Sequence, residues 1–129
     1  NQCSFVCPHA AIRPYIVTKE EAKNAPKGFD TVKLNGIKDT EYEYRLEVSK
    51  HDCTGCGSCV ASCPAKEKAI KMVPAKFSDE DLERWNYALS LSDKGDLFNP
   101  NTVKGSQFRT PLVEFSAACA GCGETTAFW

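Results

Sequence analysis

The sequence predicts a small α+β domain assembled from two related halves, and three observations carry that prediction. A cysteine motif occurs twice. Cys3-Ser-Phe-Val-Cys7-Pro8 has the spacing and trailing proline of Cys59-Val-Ala-Ser-Cys63-Pro64, and each copy leads into Ala-Ile, at Ala11-Ile12 and Ala69-Ile70. Tyr42, Tyr44, Leu46 and Val48 alternate with Glu43, Arg45 and Glu47, the period of a strand with one buried face. Ser78 precedes Asp79, Glu80 and Asp81, while Leu82, Trp85 and Leu89 share one helical face. A capped amphipathic helix is therefore expected over 78–93, ending near Lys94-Gly95 with a solvated acidic first turn.

The other elements follow in order. Residues 1–10 read as a cysteine loop. Ala11 to Val17 is β-rich, and Pro14, which cannot donate to a ladder, fits an edge strand. Thr18 and Glu21 have capping-box spacing for a short helix closed by Pro26 and Gly28. Val32 and Leu34 alternate ahead of Asn35-Gly36, a hairpin-turn signal, so an inserted hairpin is expected to feed the 42–48 strand into the second cysteine loop. Ala65 to Lys68 suits a helical turn and Ala69 to Val73 a short strand. Residues 96–114 lack periodicity and contain Asn99-Pro100-Asn101 and Thr110-Pro111, the composition of an extended linker.

Bulk composition narrows the function classes. A chain of 129 residues with 42% hydrophobic content suits one compact domain, with or without an arm. Sixteen Lys plus Arg against 17 Asp plus Glu give a net charge of −1, so no basic field is available for nucleic acid or an anionic membrane. No apolar run approaches the roughly 20 residues that cross a bilayer. A soluble chain with no nucleic-acid or membrane partner is expected.

The eight cysteines are the anomaly. Closely laddered cysteines are poorly placed to bridge distant segments, so a metal in a reducing compartment is favoured over a disulfide framework. Cys53-Thr-Gly-Cys56-Gly-Ser-Cys59-Val-Ala-Ser-Cys63-Pro64 is the C-x2-C-x2-C-x3-C-P run of bacterial ferredoxins. Three thiolates two residues apart let one loop wrap three irons of a 4Fe–4S cubane, and Gly55 and Gly57 keep that loop slim enough for amides to approach the sulfurs. In two-cluster proteins the fourth cysteine serves the other cluster, which assigns Cys63 to a partner site and Cys7 to the Cys53, Cys56 and Cys59 site. Zinc would want two separated C-x2-C pairs.

Cys3 and Cys7 make half of the same motif, and its missing cysteines would fall upstream of Asn1. One reading is that the natural polypeptide continues there. In the other, Cys3, Cys63, Cys119 and Cys122 ligate a second cubane and the chain is whole. Cys119-Ala-Gly-Cys122-Gly-Glu-Thr alone could be a redox pair, half a zinc site or half a cluster site. His9 and His51 flank cysteine loops but are read as loop residues, since thiolates already fill the coordination.

Four segments carry a resemblance: CSFVCPHAAIRP at 3–14, NAPKGFDTV at 24–32, DCTGCGSCVASCPAKEKAI at 52–70 and SQFRTPLVEFSAACAGCGET at 106–125. Together they are similar to the thiamine-diphosphate-dependent pyruvate:ferredoxin oxidoreductases, across essentially the whole chain. The resemblance implies a bacterial two-cluster ferredoxin-like domain at 1–95, truncated at its start, a linker at 96–114, and the start of a thiamine-diphosphate domain at 115–129. Cys119 and Cys122 would hold part of a third, proximal cluster, and Glu124 would lie near the thiamine diphosphate and its Mg2+. The implied reaction decarboxylates pyruvate with coenzyme A and sends electrons singly through the clusters to ferredoxin or flavodoxin. The parent enzyme would be a homodimer in the cytoplasm, or in a hydrogenosome or similar organelle of a eukaryote. The chain alone would be catalytically incomplete, and a free-standing two-cluster carrier is the alternative.

Overall fold

The computed structural model describes residues 1–38 and 41–111, so Cys119, Cys122 and Glu124 lie outside the described residues. The architecture is α+β, around a three-stranded antiparallel sheet of order β1-β3-β2. Strand β1 is Ile12–Thr18, β2 is Val32–Lys33 and β3 is Tyr42–Val48. Pro14 lies on β1, an edge strand, where its missing N–H costs no ladder bond. β1 and β3 pair from Ile12 opposite Val48 to Thr18 opposite Tyr42. The strand leaving the first cysteine turn thus lies against the strand entering the second.

Residues paired across an antiparallel ladder share a face. One face carries Arg13, Tyr15 and Val17 with Glu47, Arg45 and Glu43. Helix α4, Asp79–Ser90, packs on it. Val17, Phe29 and Ala88 form the core there, with Tyr15, Ala22, Ala25, Tyr87 and Leu91 around them. The Arg13 guanidinium sits 5.1 Å from the Trp85 ring centroid, and Arg45 sits 5.2 Å from that of Phe29. Cation–π contacts of this kind let charged residues share a packed face with apolar ones.

That arrangement changes the expected burial of β3. Its apolar set is only half-buried, and Glu47, held by Arg45 Nε at 2.8 Å, is its buried member. The ion pairs and rings on the charged face, invisible to a hydrophobic alternation, draw α4 to that side.

Two short helices precede and follow β1. Helix α1, Gln2–Phe5, forms within the cysteine loop expected at 1–10. Helix α2, Lys19–Asn24, is capped as expected: the Thr18 hydroxyl accepts from the Glu21 amide at 3.2 Å and the Glu21 carboxylate accepts from the Thr18 amide at 2.8 Å. β2 pairs with β3 through Val32 opposite Tyr44 and Lys33 opposite Glu43. With β2 ending at Lys33 and β3 starting at Tyr42, Asn35-Gly36 does not form a two-residue turn between the paired strands.

Helix α4 starts where expected, with the Ser78 hydroxyl accepting from the Asp81 amide, but ends at Ser90 and not near Lys94. Its buried face is Asp81, Trp85 and Ala88, whereas Leu82 and Leu89 stay exposed. The acidic first turn is therefore only partly solvated: Asp81 is buried, bonded by Lys50 at 2.7 Å, by Arg84 and by Ser78.

The expected strand at 69–73 does not form, and 65–68 makes a bend instead of a helical turn. Among the described residues, 69–73 has no strand beside it, and Met72 and Val73 are exposed. The region expected as an extended linker contains a 3-10 turn, Gly95–Leu97, and helix α5, Val103–Ser106. Phe98 stacks on Phe108, and Lys104 Nζ donates to the Asn35 carbonyl at 2.6 Å.

Candidate metal centre

The repeated cysteine motif folds into a repeated hydrogen-bond scheme. In the first copy the Ser4 and Phe5 amides donate to the Asn1 carbonyl, Val6 to Gln2, and Cys7 to Ser4. In the second, Val60 and Ala61 donate to Gly57, Ser62 to Ser58, and Cys63 to Val60. Helix α3, Ser58–Ala61, is thus the counterpart of α1, and the two pack against each other. Cys3 and Cys59 ride on these helices; Cys7 and Cys63 close their turns.

Gly55 and Gly57 adopt φ of +71° and +78°, the left-handed region that glycine enters without penalty. In the loop that holds them Cys53 and Cys56 are exposed, while Cys3, Cys7, Cys59 and Cys63 are half-buried. All six are free thiols. Among the described residues, no group of three or more His, Cys, Asp or Glu side chains gathers as a single metal ion requires.

The thiols sit in different electrostatic surroundings. Burial pushes Cys59 up, and the neighbouring Cys53 and Cys56 push it further. Ser58, whose hydroxyl lies 3.5 Å from Cys56 Sγ, draws Cys56 down together with backbone amides. Cys63 is drawn down by the amides of Ala65, Ala69 and Ile70, with Lys68 adding its charge. Backbone N–H groups aimed at sulfur suit a thiolate, which is the form that ligates metal.

Several neighbours of these turns carry no motif signature. Tyr44 donates to the Asn1 side-chain oxygen at 2.6 Å, and its hydroxyl is pushed up to about 12 by burial and then by Cys3. Lys68 Nζ donates to the Cys63 carbonyl at 2.7 Å and to that of Ala61 at 3.3 Å. Only the position of Lys68 just after a Cys-Pro could have hinted at its role. His9 is buried in the turn after Cys7, and the His51 ring lies 4.9 Å from that of Phe77.

Residues 1–66 match the profile of the 4Fe-4S double cluster binding domain. The chain belongs to that double-cluster family. Membership accords with the two hydrogen-bonded turns and with a donor set made of thiols. Longer proteins are similar along almost all of the chain. A pyruvate-flavodoxin oxidoreductase of Enterobacter agglomerans is 54% identical over 125 residues, which is 97% of this chain and 10% of that protein. One from Klebsiella pneumoniae is 53% identical over 125 residues, with the same shares. A pyruvate:ferredoxin oxidoreductase of Moorella thermoacetica is 52% identical over 126 residues, 97% of this chain and 11% of that protein. The chain of this double-cluster member thus spans about a tenth of the length of these relatives.

Proposed function

We propose that this chain is the electron-transfer segment of a pyruvate:ferredoxin or pyruvate:flavodoxin oxidoreductase. The observation that carries the reading is the Cys53 to Pro64 ladder, set in a double-cluster domain and continuous with similarity over 97% of the chain. In this reading the fold is the two-cluster ferredoxin type with an inserted hairpin between its halves and a linker behind it.

Cys53, Cys56, Cys59 and Cys7 ligate one 4Fe–4S cluster, and Cys3 with Cys63 contributes to the second. The packing of α1 on α3 supports this exchange of fourth ligands, because it sets the two turns side by side. Cys119 and Cys122 belong to a third, proximal cluster, and Glu124 to the neighbourhood of thiamine diphosphate and Mg2+. Bound clusters supply one-electron transfer at low potential, as a 2-oxo acid donor needs. The chain's own contribution is to hold the thiolates, aim amides at their sulfurs and keep the clusters a fixed distance apart. Pyruvate and coenzyme A bind elsewhere in the parent, a cytoplasmic homodimer whose electrons leave to ferredoxin or flavodoxin.

Anaerobic purification of the full-length protein, followed by iron, sulfide and zinc analysis, tests the centre. Brown protein bleached by dithionite is expected, and zinc without iron overturns the cluster reading. Pyruvate- and coenzyme A-dependent reduction of flavodoxin or ferredoxin then tests the enzyme. Clusters without that reduction leave a free-standing carrier as the better account.

A further inference from the structure

Each fourth cysteine of the repeated motif has one cation tied to its turn, and the two cations differ in burial. In the first half the Ala10 amide donates to the Cys7 carbonyl at 3.3 Å, and the Ala10 carbonyl accepts from Arg13 Nε at 2.8 Å. Ala10 has φ +52°, the only left-handed non-glycine among the described residues. A backbone conformation that costs about 1–2 kcal/mol in a residue with a Cβ persists only where its surroundings enforce it. Arg13 is itself buried, 7% exposed, under the Trp85 ring. In the second half Lys68 Nζ bonds the Cys63 carbonyl directly, from an exposed position.

We propose that Arg13 and Lys68, one beside each fourth-cysteine turn, are positioning residues that set the reduction potentials of the two clusters, Arg13 raising that of the Cys7-ligated cluster the more. The inference rests on the cluster assignment above. Reduction adds negative charge to a thiolate-ligated cluster, so a nearby cation favours the reduced form. A charge in a packed, water-poor setting acts more strongly than one in solvent, where salt also screens it. Burial pulls Arg13 below its ordinary value, while Asp52 and Cys7 are among the groups pushing it back, which places both within its electrostatic reach. Loss of Arg13 therefore also leaves the Asp52 carboxylate acting on the same cluster without that opposing charge.

The test titrates the full-length, cluster-loaded protein with dithionite and dye mediators, following each cluster by low-temperature EPR. Arg13→Gln should move one midpoint to more negative potential, and Arg13→Lys should leave it near the parent value. Lys68→Gln should give a smaller negative shift at the other cluster, fading at high salt. Unmoved midpoints in loaded Arg13→Gln protein overturn the proposal, as does a Lys68→Gln shift as large as that of Arg13→Gln. Should Arg13→Gln fail to take up iron, Arg13→Lys and the exposed Lys68→Gln still decide. A large fall in the first, or no shift in the second, overturns it. Parent protein that binds no iron refutes the cluster assignment instead.

Discussion

The turn at residues 1–7 and the turn at 57–63 share one hydrogen-bond scheme, yet their exits differ. The first leads into β1, which pairs along its length with β3 and lies under α4. The second leads into 69–73, exposed and without a neighbouring strand among the described residues. The backbone hydrogen bonds of each cysteine turn thus close within its own seven residues. The strand after it is conditional, because a ladder needs a partner and a face needs a cover.

The largest effect on that contrast should come from Trp85→Ala. Removing a buried aromatic costs about 3–5 kcal/mol, and here it also uncovers Arg13, so the first half should lose its cover while the second turn keeps its bonds. Denaturant unfolding of the cluster-loaded protein followed by far-UV circular dichroism measures the loss; one below about 1 kcal/mol would show that α4 is not what holds β1 in place. Gly57→Ala acts on the other turn. A Cβ there meets no neighbouring atom but sits at φ +78°, so a cost of about 1–2 kcal/mol is expected from strain alone. A neutral Gly57→Ala in the same unfolding assay would mean the loop can relax.

Asp81→Asn is the smallest of the three, about 1 kcal/mol at neutral pH. Lys50, then Ser78 and Arg84, hold the Asp81 carboxyl below its usual range against the cost of burial. A group depressed in this way stabilises the fold above its unfolded-state value and loses that contribution as pH falls through the folded-state one. The gap between Asp81→Asn and the parent should therefore close as the pH drops below the ordinary carboxylate range. A gap constant down to pH 2 would sink the ion-pair explanation.

Local signals were the legible ones. The alternation at 42–48 marked β3 to the residue, Thr18 and Glu21 announced their capping box, and Ser78 placed the start of α4. What escaped was decided by distant partners. The face of α4 is turned by one position because Lys50 and Arg84 make Asp81 buriable and Arg13 accepts Trp85. The charged side of β3 is covered for the same reason. At the candidate centre the ladder is plain, but the bonds that Arg13, Tyr44 and Lys68 make to its turns are set only by folding.

Asn1 in the first turn occupies the place of Gly57 in the second, and its side chain accepts the Tyr44 hydroxyl from β3. One copy is stitched to the sheet; the other, with Lys68 folded back on Cys63, closes upon itself. The stretch from Cys53 to Lys68 is accordingly a portable cassette. Grafted onto an unrelated scaffold it would carry its shape along, whereas transplanting residues 1–10 would require moving β3 as well.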